Sequence, residues 1–202
     1  MKISRGPRAH MPALPRAIFR TDSLSNRLAM APRPALLALL VLLASCARTA
    51  DVPTVPVGRF YGAYVGHGLS GAPTDSQLAA LTPHLSDTLR GLLAAARRAH
   101  DEEARTAPGE KPSFTDGDLF SSLSEGPTRY EVLVADTSGP PYRVPVRLTY
   151  DGATPAVSWT DTALVVREND RLVVGDIVFG GVGEFGSRGS LRNGLEQSLR
   201  PH

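Results

Sequence analysis

VSWTDTALVVRENDRLVVGDIVF, residues 157–179, holds two runs rich in β-branched residues, Val157 to Val166 and Leu172 to Phe179, separated by the polar REND at 167–170. Runs of that length around a short polar turn predict an antiparallel hairpin. Immediately upstream, Tyr142, Val144, Val146, Leu148 and Tyr150 alternate with Arg143, Pro145, Arg147 and Thr149, the period-two pattern of a half-buried strand. Tyr130, Val132 and Val134, alternating with Arg129, Glu131 and Leu133, predict one more. Pro145 falls on the polar side of its strand and has no N–H to give, which predicts an edge or a bulge there. GGVGEFGSRG, 180–189, reads as a loop, and Ser190 to Leu199 as a closing amphipathic turn or two.

Before residue 107 the apolar period is 3.6 instead of 2. Phe60, Tyr61, Tyr64 and Val65 fall at helical spacing and Gly66 and Gly68 end the segment. Thr74 and Gln77 have the spacing of a capping box, and Thr82-Pro83 offers a cap followed by a first-position proline for the next helix. Leu85, Leu89, Leu92, Leu93 and Ala96 then form one apolar stripe, which decays into the charged HDEEARTAPGEKP. Helices followed by a four-stranded meander predict an α+β domain over 58–202, with N-terminal helices packed on one face of a curved antiparallel sheet. No internal repeat is evident.

The first 45 residues have a different composition. Of the chain's 202 residues, 22 are Lys or Arg and 20 are Asp or Glu; residues 1–45 hold seven of the former and one of the latter, leaving 15 basic and 19 acidic from Cys46 onward. The formal charge of +2 therefore comes from the leader, the remainder carries −4, and nucleic acid is not an expected partner. After Arg33 the apolar segment Ala35 to Leu43 is about half the roughly 20 residues a spanning helix needs, so it reads as the core of an export signal. Residues 1–29 show no sustained apolar periodicity, and Met30 opens a segment, 30–45, with the charge, length and order of a whole signal peptide. The expected translation start is Met30.

Leu43-Ala44-Ser45-Cys46 resembles the bacterial lipobox, in which lipid joins the cysteine and cleavage just before it makes that cysteine the mature N-terminus. A thiol accepts the diacylglyceryl group, and small residues before it let the peptide bond enter a narrow protease site. Cys46 is the chain's one cysteine, so it has no disulfide partner within the chain, and the polar, Pro-containing residues 46–57 read as a tether. Several acyl chains, at about 0.8 kcal/mol per buried CH₂, anchor a protein stably. Ala47 stands where an Asp commonly marks inner-membrane retention, so the resemblance implies an outer membrane, with the domain facing the periplasm.

Five segments, FYGAYV, LAALTPHLSDTLRGLL, DGDLFSSLSEGPTRYEV, VSWTDTALVVRENDRLVVGDIVF and SLRNGLEQSL, together resemble a family of bacterial lipoproteins of unknown function. The resemblance covers about 58–199 and implies a cystatin-like, nuclear-transport-factor-like α+β cone. It places an Asp of the last strand at Asp176, while Leu172 stands where such sequences often carry an aromatic residue.

Within such a cone, Asp161 and Asp176 on neighbouring strands, sharing a face with Trp159, Leu172 and Val174, would form an acid/base pair by like-charge proximity and burial. The alternative is that Asp161 accepts hydrogen bonds near a strand end and Asp176 meets an arginine. The expected pocket residues are Tyr130, Trp159, Asp161 and Asp176. DGD at 116–118 lacks the later carboxylates of a calcium loop and reads as an Asx-capped turn. His67, His84, His100 and His202 have no second ligand at metal spacing, and GGVGEFG opens no long helix, so neither a metal nor a cofactor is expected. Ser70 and Ser187 lack the nucleophile-elbow pattern. Arg129, Arg143 and Arg147 share the outer sheet face with Glu131, an arrangement more common as a mixed-charge solvated face than as an anion site. These readings point to a lipid-anchored envelope binding or accessory module, whose expected partners are the membrane, through its lipid, and a protein of the envelope. The alternatives are a small periplasmic enzyme using Asp161 and Asp176, or an immunity or inhibitor protein.

Overall fold

A computed structural model describes residues 52–182 and 186–200, so the leader, Cys46 with the first half of the tether (46–51) and His202 lie outside the described residues. The domain is α+β. Its helices are α1 (Thr54–Tyr64), α2 (Asp75–Leu81), α3 (Asp87–Thr106) and α4 (Leu191–Ser198), and its strands are β1 (Arg129–Val132), β2 (Tyr142–Tyr150), β3 (Val157–Glu168), β4 (Arg171–Phe179) and β5 (Gly189–Ser190). The strands form one antiparallel sheet in the order β1-β2-β3-β4-β5, five strands where the periodicity predicted four. The extra strand is two residues of the stretch read as a loop, too short to leave an alternating signal.

α1 begins at Thr54, inside the segment read as tether, because Val57 continues the stripe of Phe60, Tyr61 and Tyr64 back by one turn and is fully buried. α2 has the expected reciprocal cap: the Gln77 N–H donates to Thr74 Oγ1 at 3.3 Å and the Thr74 N–H to Gln77 Oε1 at 2.9 Å. Thr82-Pro83 does not open the long helix. It forms a 3-10 turn, Thr82–His84, after which the chain extends across β4, with the Ser86 N–H donating to Val174 O at 2.9 Å. That crossing buries Leu85 and leaves Ser86 as the cap of α3, accepting from the Leu89 N–H at 3.2 Å. Leu89, Leu93 and Ala96 of α3 then lie against the sheet layer with no exposed surface.

The hairpin at 157–179 closes through Asn169 and Asp170, both at positive φ (48° and 58°), the backbone of a two-residue type I′ turn that matches strand twist. Pro145 lies in an inner strand, not at an edge. Its carbonyl accepts from the Leu133 N–H at 2.9 Å, so its ring nitrogen faces the same neighbour, β1, whose ladder ends at Val132. The missing donor thus shortens β1 and takes nothing from the β2–β3 ladder.

β4 carries the irregularity that matters most. Leu164 pairs with Asp176 but Val165 pairs with Val174, so Gly175 is an extra residue bulged out of register. Before the bulge Leu172 and Val174 face the helices; after it Ile177 does, and Asp176 turns to the other side. The inward row also includes Val144, Val146, Leu148, Trp159, Ala163 and Val165, and it forms a single core with the apolar stripes of the helices.

Candidate functional site

The polar residues inside this core are brought together by an irregular segment, 107–128, that runs between α3 and β1. Phe120 anchors it, with its ring centroid 5.6 Å from Phe60 and 5.2 Å from Tyr64. Next to that anchor, Ser121 and Ser122 are buried beside Asp161 of β3, which has no exposed surface.

Asp161 occupies the inward row between Trp159 and Ala163. Its Oδ2 accepts from the Ser122 N–H at 2.9 Å and from Trp159 Nε1 at 3.1 Å. Its Oδ1 accepts from the Gly180 N–H at 2.9 Å and from the Ser122 hydroxyl. Ser122 Oγ in turn accepts from the Gly181 N–H at 3.0 Å. Four donors match the four lone-pair sites of a carboxylate, which is how a buried carboxylate avoids the desolvation cost of an unpaired one. Gly180 makes this possible: a Cβ there would lie 2.0 Å from Thr160 O, so only glycine lets the backbone come close enough for its N–H to reach Asp161. The chemistry of Asp161 is therefore structural. It fastens the 118–124 segment to the exit of β4.

Asp176 is not its partner. The bulge at Gly175 removes Asp176 from the face of Trp159, Leu172 and Val174, and its Oδ1 accepts from the Ile177 N–H at 2.8 Å and the Arg192 N–H at 2.9 Å. It thereby satisfies a free donor in the first turn of α4. The Arg192 side chain pairs with Glu196 at 2.7 Å, and the Asp176 charge adds to the rise of its guanidinium pKa without forming an ion pair of its own among the described residues. Tyr130 is also outside the centre. It is 37% exposed, its ring centroid is 5.7 Å from that of Tyr61, and its hydroxyl donates to Gly58 O at 3.2 Å. Of the four expected pocket residues, the structure brings together Trp159 and Asp161 alone, and both are buried in the core.

Three further residues, Tyr61, Tyr64 and Asp118, belong to the centre, where their sequence pattern predicts only packing and a turn. The Tyr64 hydroxyl donates to Asp118 Oδ2 at 2.5 Å, and the Phe120 N–H donates to Asp118 Oδ1 at 2.7 Å, the Asx turn expected of DGD. Burial pushes the Asp118 carboxyl up to about 7, with the negative Asp161 adding to the rise, while the Tyr64 hydroxyl and Phe120 N–H oppose it. The same burial, reinforced by Asp118, holds the Tyr64 phenol well above its ordinary value. The Tyr61 hydroxyl is fully buried with no hydrogen-bond partner among the described residues, and burial, Asp161 and Asp118 raise it too. The sequence signals for this group are the phase of Tyr61 and Tyr64 on one helical face and the Asx turn at Asp118; neither one points to the other.

Asp118 borders two clefts. One of about 320 Å³ is lined by Tyr64, Leu69, Glu125, Gly126 and Thr128, and one of about 300 Å³ by Phe114, Leu119, Ser121, Phe179 and Leu191. A carboxyl titrating near neutrality at a cleft can exchange a proton with what enters. On the outer sheet face Arg147 pairs with Glu131 and Arg129 with Asp151, both at 2.6 Å, so two of the three arginines there are already partnered. Among the described residues no three His, Cys, Asp or Glu side chains converge as a metal site would require, and no helix is long and apolar enough to cross a membrane.

No family model, no curated protein and no solved structure matches this chain.

Proposed function

We propose that this protein is a lipid-anchored module of the cell envelope, held by acyl chains on Cys46 in an outer membrane and facing the periplasm, where its α+β domain binds a ligand or an envelope partner. The observation that carries the reading is Leu43-Ala44-Ser45-Cys46, placed directly after an apolar run too short to span a bilayer. Binding is favoured over catalysis because the acid/base pair does not assemble: Asp161 has all its lone pairs occupied, and Asp176 caps α4. The cystatin-like cone belongs to the same proposal, supported by helices lying on one side of a continuous antiparallel meander.

The test compares wild type with Cys46→Ala. Mass spectrometry of the wild-type N-terminal peptide is expected to show a diacylglyceryl cysteine, and the variant is expected to leave the membrane fraction. A variant that stays with the membrane, alongside a wild type without lipid, overturns the anchor.

A second reading rests on Asp118 alone. Its near-neutral carboxyl at the mouth of two clefts favours proton transfer on a bound small molecule, with Asp118 in place of the Asp161 and Asp176 pair.

A further inference from the structure

A third cleft, of about 260 Å³, lies where α1, the 3-10 turn and the start of β4 meet. Its polar lining is entirely basic or neutral: Arg59 from α1, His84 from the turn and Arg171 from β4, with no Asp or Glu among the lining residues. Neither Arg59 nor Arg171 makes an ion pair among the described residues, whereas Arg90, Arg97, Arg105, Arg129, Arg147 and Arg192 all do. Two acidic residues stand at the hairpin turn and neither lines the cleft: Asp170 directly precedes Arg171, and Glu168 pairs with Arg171 by backbone register while its carboxylate accepts from the Asp87 N–H at 2.8 Å. The rest of the lining is apolar, from Val55, Pro56, Pro83, Leu172 and Val173.

Two arginines lining one small cleft offer an anion two planar donor forks from separate elements. His84 reports the same field. Partial burial and then the Arg59 charge lower its imidazole, so a negative group entering the cleft acts in the opposite direction. The apolar walls leave space for a small hydrocarbon portion next to the charge, at the small end of the range for ligand sites.

We infer that this cleft binds a phosphate-bearing amphiphile, the anion held between Arg59 and Arg171 with His84 as a third donor and the apolar portion against Val55, Pro56 and Leu172. Two sources supply that chemistry, a soluble phosphate ester and the headgroup of an anionic phospholipid. The second source rests on the lipid-anchor reading, since Thr54 lies eight residues beyond Cys46 and a fully extended tether of that length reaches about 30 Å.

The experiment is equilibrium titration of the full-length chain in detergent with phenyl phosphate, read by the His84 ring resonances, which are assigned with His84→Gln. The expected result is saturable binding that raises the His84 pKa, with affinity lowered about tenfold by Arg59→Gln and by Arg171→Gln. Arg171→Lys, which keeps charge but loses the fork, should retain part of that affinity, and circular dichroism confirms that each variant is folded. Competition by vesicles of equal parts phosphatidylcholine and phosphatidylglycerol, but not by phosphatidylcholine alone, assigns the headgroup; absence of competition assigns a soluble ester. Absence of saturable binding to phenyl phosphate, or binding indifferent to both arginines in folded variants, overturns the proposal. Because the titration does not depend on lipidation, a failed anchor and a failed cleft give different results.

Discussion

At Asp161 a buried carboxylate without an ion pair among the described residues is held by two N–H groups of the backbone, a hydroxyl and an indole N–H. Removing it strands those four donors in a dry core, and each unsatisfied buried group costs about 1–3 kcal/mol. Asp161→Ala is expected to lose at least about 3 kcal/mol of stability in urea unfolding. A loss below about 1 kcal/mol would show that water replaces the carboxylate and that the centre is not what fastens the 118–124 segment. Asp118 makes stability depend on pH. Its carboxyl is raised from 3.8 to about 7 by burial, so the folded state binds this proton more tightly than the unfolded chain does. The stability it provides is complete below about 3.8 and is lost as pH rises through about 7, with an upper bound of about 4 kcal/mol. Asp118→Asn should flatten the stability profile between pH 4 and 7 and leave stability at pH 8 no lower than that of wild type. An unchanged profile in the variant would assign the titration to another group.

Among the elements, α3 separates two candidate starts that look alike in sequence. Thr82-Pro83 and Ser86-Asp87 both satisfy the residue preferences of a helix N-terminus, and the apolar stripe runs continuously from Leu85. The difference is the Ser86 N–H bond to Val174 O, which holds residues 85–86 extended against β4 and leaves Ser86 Oγ to cap Leu89. Ser86→Ala should therefore cost about 1 kcal/mol, and Pro83→Ala much less, by thermal or urea unfolding. Equal costs would restore Thr82 as the start of one continuous helix. The β4 bulge works in the same way at the level of a strand. One extra residue at Gly175 reverses which side chains face the helices, and a strand with two apolar residues in succession, Val173 and Val174, carries no pattern that locates such a slip.

On the scale of the whole molecule, the apolar pattern and the charge distribution were readable because each is set by nearby residues. Periods of 3.6 and 2 follow from backbone geometry within a few residues, so α1, α2, the α3 stripe and the 157–179 hairpin were evident from the chain, as were the capping box at Thr74 and the Asx turn at Asp118. The excess of basic residues before Cys46, and the acidic balance after it, needed only counting. The polar centre and the basic cleft depend on separations that no local pattern encodes. Ser122 meets Asp161 across 39 positions, Tyr64 meets Asp118 across 54, and Arg59 shares a cleft with Arg171 from the other end of the domain. What the sequence by itself determined is the α+β class, the apolar stripes of α1 and α3, the alternation of β2, the 157–179 hairpin and the presence of the cysteine motif, since short-range sterics and residue spacing specify these. Which carboxylate is buried with donors, which one caps a helix and which basic side chains converge were decided only in the tertiary structure. The reason is that register across a sheet and the path of an irregular segment are set by how distant surfaces fit, and a slip of one residue exchanges inside for outside.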